Sequence, residues 1–271
     1  TSGKDLLRFN IISGKEKTYQ SWDGVPSNVL DTNRTFNGTG SYYDNFGVQH
    51  YYDNETDNYI QTHYQAIYSH EFNKKLYLNA AAHHTTGAGY YEQYRENDKL
   101  SDYGIESILL NAPFYLIGND TIQAPDSTIS HSDLIRQKHL ANTFSGLTWS
   151  LNYHTAKLQT SIGGSWNTYD GNHFGRVIWS QFTGNSEINH EWYRSKASKT
   201  DFNIYAKAEY LLTANLHAWA DLQYRRIYYS IDGIDDDQRD ITQQHTYNFF
   251  NPKAGLSYDL NTNQNMYFSL S

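Results

Sequence analysis

The sequence predicts an all-β protein, an antiparallel up-and-down transmembrane β-barrel present as a segment of about nine strands of a larger barrel. Three observations carry this prediction. The first is period-two alternation. Residues 201–224, DFNIYAKAEYLLTANLHAWADLQY, place Phe202, Ile204, Ala206, Ala208, Tyr210 and Leu212, then Leu216, Ala218, Ala220, Leu222 and Tyr224 on one face. Asn203, Lys207, Glu209, Asp221 and Gln223 fall on the other. The second is the spacing of breaks. Four are tight, at Asn73-Lys74-Lys75, Thr155-Ala156, Thr213-Ala214-Asn215 and Asn261 to Gln264, and between them lie long polar stretches at 14–57, 92–136, 171–200 and 232–246. Short and long connections alternate strictly, as periplasmic turns and extracellular loops do. The third is composition. There are 25 Tyr, 6 Trp and 12 Phe against 4 Pro and 1 Met, with 38% hydrophobic residues, and the mean hydropathy is only -0.76. Such a chain is rich in β-formers with amphipathic rings and too polar for a two-sided core.

The predicted strands are 4–13, 58–72, 76–91, 138–154, 157–170, 201–212, 216–231, 247–260 and 265–271. All but the last reach the roughly 9–11 residues that a tilted strand needs to cross a bilayer. No apolar run is long enough for a membrane-spanning helix. Register follows from the faces, because a slip of one residue exchanges them. Over 58–84, Phe72, Tyr68, Ala66 and Tyr64 share a face with Leu76, Leu78, Ala80 and Ala82, while Glu71, Ser69, Gln65, His63, Asn79 and His83 take the other. Leu147, Trp149, Leu151 and Tyr153 precede the break at Thr155-Ala156 on odd numbers, and Leu158, Ile162 and Trp166 follow it on even ones, a switch that a two-residue turn satisfies. In 201–224 both apolar sets are even, so Ala208 opposes Ala220 and Lys207 opposes Asp221.

Aromatic residues mark both ends of the apolar face. Phe72, Tyr153, Tyr210, Tyr258 and Phe268 lie near the short turns, and Tyr64, Trp166, Phe202 and Tyr224 lie toward the long loops. Two ring levels separated by small and aliphatic residues match the two headgroup regions of a bilayer. The apolar face is therefore expected to meet lipid.

GYYEQYRE at 89–96, DNETDNYIQTHYQAIYSHEF at 53–72, GGSWNTYDGNHFGRVIW at 163–179 and FFNPKAGLSYDL at 249–260 resemble the barrel of TonB-dependent outer-membrane receptors of the Bacteroidetes type. The resemblance covers essentially the whole chain, so residues 1–271 are expected to form one partial receptor barrel domain. It implies an outer-membrane location, a 22-stranded complete barrel, and import of an iron complex, with cobalamin or glycan import as alternatives. It also implies coupling to TonB through a plug domain that is absent from this chain. The ends, TSGKDLLRF and NMYFSLS, are expected to be cuts within a longer protein. Without further strands, a sheet open in lipid is not expected to be stable.

The remaining chemistry is sparse. A net charge of -8 disfavours a nucleic-acid partner. The absence of cysteine excludes a disulfide framework and a thiolate metal site. Asp235-Asp236-Asp237 lacks the alternate-oxygen spacing of a calcium loop. No nucleophile elbow or defined carboxylate pair supports an enzyme, and neither cofactor nor metal is expected. His63 and His83 are expected to lie diagonally on the lumen face, within reach of one ligand, while His84 joins Tyr64 outside. Trp22, Tyr42, Tyr43, Tyr90, Tyr91, Trp179 and Trp192 belong to loops or strand mouths, where rings can stack on a small-molecule nutrient complex. A soluble carbohydrate-binding or hydrolase domain is the reading from another class; it requires the apolar faces to pack on each other.

Overall fold

The computed structural model describes residues 4–111 and 126–271, with the backbone alone over 114–117 and 120–123. Its main element is a nine-stranded sheet in which every strand pairs antiparallel with its neighbours in chain order. The strands are β1 Asp5–Tyr19, β2 Thr56–Asn73, β3 Leu76–Lys99, β4 His131–His154, β5 Leu158–Ser180, β6 His190–Leu211, β7 Leu216–Gly233, β8 Gln243–Asn261 and β9 Gln264–Leu270. The nine predicted strands are all present, and the sheet does not close on itself.

The four tight turns share one device. Asn73, Thr155, Thr213 and Asn261 each turn a side-chain oxygen onto backbone N–H groups just ahead: Lys75 and Leu76, Lys157 and Leu158, Asn215 and Leu216, and Asn263. Such Asx and Ser/Thr turns satisfy donors that the ladder leaves open. At the β4–β5 turn the two loop residues are Ala156 and Lys157, one position later than predicted, because the Thr155 N–H donates to the Leu158 carbonyl at 2.8 Å. The parity switch that the sequence requires is unchanged.

Registers match the face assignments. Lys207 opposes Asp221 and Ala208 opposes Ala220 across β6 and β7, Tyr64 opposes His84 across β2 and β3, and Leu147 opposes Trp166 across β4 and β5. His63 pairs with Thr85 while Gln65 pairs with His83, so the two histidines are diagonal on one face. Lys207 Nζ lies 3.6 Å from an Asp221 carboxylate oxygen. On the opposite, apolar face all nine residues of the two predicted ring levels are exposed. The apolar faces therefore do not pack on each other, contrary to the requirement of a soluble sandwich. The polar face is the concave one, since Tyr77 of β3, Asn152 of β4 and Asp221 of β7 line a single depression.

The strands outrun their predicted ends, chiefly toward the long loops. β3 runs on to Lys99, β4 begins at His131, β5 continues to Ser180 and β6 starts at His190. Above the lipid band both strand faces are wet or covered by loops, so the alternation that signals a strand fades while the hydrogen-bond ladder continues. The long connections carry small hairpins of their own, Ser41–Tyr43 with Gln49–Tyr51, Ile108–Leu110 with Ser127–Ile129, and Phe114–Ile117 with Asp120–Gln123.

An arginine at a lipid-facing position near the bilayer midplane costs about 2–4 kcal/mol. Ala206→Arg in the full-length protein is therefore expected to lower unfolding stability in bilayers by that amount, measured by denaturant titration. Lys207→Ala, which removes a wet ion pair, is expected to cost no more than about 1 kcal/mol.

Candidate functional site

At the loop end of the concave face, β1 to β6 and the β7–β8 connection enclose a cavity of about 570 Å³. That lies within the range of small-molecule sites. Tyr59, Tyr91 and Tyr193 supply its rings and His173 faces into it. Two glycines let the rings lie flat. A Cβ on Gly87 would fall 2.1 Å from the Tyr59 hydroxyl, and one on Gly175 would fall 2.3 Å from both the Trp192 and Tyr193 rings. No side chain larger than hydrogen fits beneath them. Charge enters through Glu16, Asp57, Asp235, Asp236 and Lys138, and Lys138 Nζ is engaged by Asp236.

The cavity wall is held from above. Leu100, Tyr103, Ile105, Leu134, Val177, Trp192 and Tyr193 form the buried apolar cluster of the described residues. It lies outside the lipid band, where strands meet loops. Trp192 donates from its indole N–H to the Asp236 carbonyl at 3.2 Å, and Gln238 donates to the Trp192 carbonyl at 2.6 Å. These bonds fix the acidic connection against the cluster. Burial pushes the Tyr193 hydroxyl up, with Tyr91, Asp236 and Asp235 adding to the shift.

The β1–β2 loop is pinned to the top of β3 by a buried carboxylate. Glu92 accepts from the Tyr52 hydroxyl at 2.5 Å, from the Asn54 amide at 2.6 Å and from the Gln137 amide at 2.6 Å. Burial and this hydrogen bond to Glu92 push the Tyr52 hydroxyl well up, so it remains a donor at any physiological pH. The Tyr19 hydroxyl bonds to the carbonyls of Thr39 and Tyr52 at 3.1 and 3.0 Å, closing the base of the loop. Trp22 then stands edge-on to Tyr91, with ring centroids 5.5 Å apart.

The comparisons with known proteins agree with this geometry. The model of the family described as "TonB dependent receptor-like, beta-barrel" matches residues 2–271. This chain belongs to that family. TonB-dependent receptors reside in the outer membrane, so the exposed apolar band of β1 to β9 meets lipid. Two solved structures are similar in fold. The open form of the ferric-catecholate import receptor Fiu from E. coli K12 has a TM-score of 0.55 at 10% identity, with 99% of this chain and 44% of that one covered. Its closed form gives 0.52 at 12% identity, covering 98% and 40%. The chain thus spans less than half the length of these structures. No curated protein matches it in sequence.

Within this receptor the ring residues singled out from sequence divide. Tyr91 lines the cavity and Trp22 packs edge-on against its ring. Tyr42 instead packs on Tyr94 and His50, at 4.6 and 5.5 Å, within the β1–β2 loop, and Tyr43 is exposed beside it. Tyr90 also borders the cavity but, one residue from Tyr91 on the strand, sets its ring against His139 at 5.1 Å. Trp179 pairs with Ile135 beyond a bulge and is exposed. Trp192 is only 6% exposed, its ring between Tyr103 and Tyr193. His63 and His83 stand deeper on the concave wall, bonded to Thr85 at 2.9 Å and Asn167 at 3.1 Å. Sequence reasoning missed Tyr59, Tyr193, Lys138 and His173. Tyr59 and Lys138 lie within the predicted strands 58–72 and 138–154, whose parity already places both inside, whereas His173 and Tyr193 lie beyond the predicted strand ends.

Replacing Glu92 by leucine leaves two loop donors without an acceptor, a loss on the order of 1–3 kcal/mol. Glu92→Leu is expected to expose residues 21–53 to limited proteolysis while the barrel keeps its resistance to heat on gels. Unchanged cleavage would show that other contacts hold the loop.

Proposed function

We propose that this chain forms part of a receptor that captures a small nutrient complex at the cell surface and imports it through the barrel, the favoured cargo being an iron complex. The observation that carries this reading is the ring-lined cavity at the loop end of the concave face, above the lipid band, with Tyr59, Tyr91 and Tyr193 around it and Trp22 edge-on against Tyr91. Flat rings offer stacking surface to a chelate or sugar at low conformational cost. The wall below, with Gln65, His63, His83 and Asn167, supplies polar groups along the route inward. Iron as cargo is supported by the likeness to Fiu, a ferric-catecholate import receptor. Energy for release comes, on this reading, from TonB acting through a plug domain elsewhere in the complete protein. The activity is binding and transport, with no catalytic step.

The test is a pair of changes in the full-length protein. Replacing residues 22–53 by a short Gly-Ser linker removes most of the β1–β2 loop, Trp22 included, and is expected to abolish uptake of radiolabelled ferric complexes. β1 pairing through Tyr19 with Thr56 does not use that segment, so a heat-resistant barrel should remain. Changing Ala156-Lys157 to Asn-Gly suits a two-residue hairpin and should leave uptake intact. Normal uptake after the loop replacement would remove this surface as the cargo site.

A further inference from the structure

We infer that the mouth cavity selects cargo without net negative charge, a neutral or cationic complex presenting ring or apolar faces to Tyr59, Tyr91 and Tyr193. This rests on the reading of that cavity as the cargo site, and it separates this receptor from a receptor for ferric catecholates. Among the described residues Lys138 is the sole lysine or arginine lining the cavity, and it is paired with Asp236. Glu16, Asp57 and Asp235 form no ion pair among the described residues, so the lining sets four carboxylates against one ammonium. The Tyr193 hydroxyl, raised chiefly by burial, is pushed further by Tyr91, Asp236 and Asp235.

Size makes this charge matter. A cavity of 570 Å³ has a radius of about 5 Å, shorter than the screening length of about 8 Å at physiological ionic strength. A ligand charge inside it therefore meets the carboxylates largely unscreened. An iron(III) complex of three catecholates is trianionic, because each catecholate brings two negative charges, whereas one of three hydroxamates is neutral. The first is repelled and the second is not. The rings act on both alike, so charge decides between them.

A reporter thiol tests the charge without knowledge of the cargo. The chain contains no cysteine, and His173 is exposed toward the cavity. His173→Cys in the full-length protein, freed of any other cysteine, is reacted with cationic and anionic methanethiosulfonates. Relative to a free thiol, the cationic reagent should be favoured at least about tenfold. High salt, or the combined change Glu16→Gln, Asp57→Asn and Asp235→Asn, should bring the ratio close to the free-thiol value. The salt arm stands even if the triple variant fails to fold. A ratio at or below that of the free thiol overturns the inference. In parallel, uptake of a neutral ferric trihydroxamate should exceed that of a trianionic ferric tris-catecholate by about tenfold or more, and the reverse preference also overturns it. Uptake of neither complex, with the thiol ratio intact, removes iron as cargo and leaves the charge selection in place.

Discussion

Hydrocarbon offers no hydrogen bonds, and the whole architecture follows from that constraint. Every backbone N–H and C=O within the bilayer must pair with another strand, so the chain runs up and down in one continuous antiparallel ladder from β1 to β9. The four tight turns extend the same principle to the water boundary, where Asn73, Thr155, Thr213 and Asn261 supply the acceptor that a strand would have supplied. β1 and β9 each have one partner in the described sheet, so further strands are needed to satisfy their outer edges in lipid.

A ladder bathed by lipid on one face and water on the other has no need of a central core. The large apolar side chains of the sheet accordingly lie exposed to the bilayer, and the concave wall is built from Gln, Asn, Ser, His and paired charges such as Lys207 and Asp221. Among the described residues the buried apolar cluster lies at the loop end, where Leu100, Leu134 and Trp192 join strand extensions to loops. That is where a rigid site can be built. Strands that continue above the lipid band give the mouth a fixed wall, and Glu92 ties the largest loop to it.

The mouth combines ring surface with an excess of acid, four carboxylates against Lys138. Glycine at 87 and 175 flattens the wall so that tyrosines lie along it, and the β7–β8 connection brings Asp235 and Asp236 over it. The strands supply the wall and two of its carboxylates, Glu16 and Asp57, and a loop joined to strands on the far side of the sheet adds Asp235 and Asp236.

The nine strands, their up-and-down order and their lipid-facing sides were legible in the sequence, because a period of two and alternating connection lengths are local signals that a bilayer enforces at every residue. Parity fixes register only to within two residues, and the β4–β5 pairing was set by the turn. The parity that opposed Lys207 to Asp221 and set His63 diagonal to His83 needed no tertiary information. The site was legible only in part. Loop composition pointed to Trp22 and Tyr91, which meet, and equally to Tyr42, Tyr90 and Trp192, which turn to the loop interior, to His139 and to the buried cluster. Above the bilayer no single solvent imposes alternation, so a ring's direction depends on which distant segment packs against it. The meeting of Tyr59, Lys138, Tyr193 and Asp236 around one cavity was decided by long-range closure of the loops onto the strand ends, and only the tertiary structure contains it.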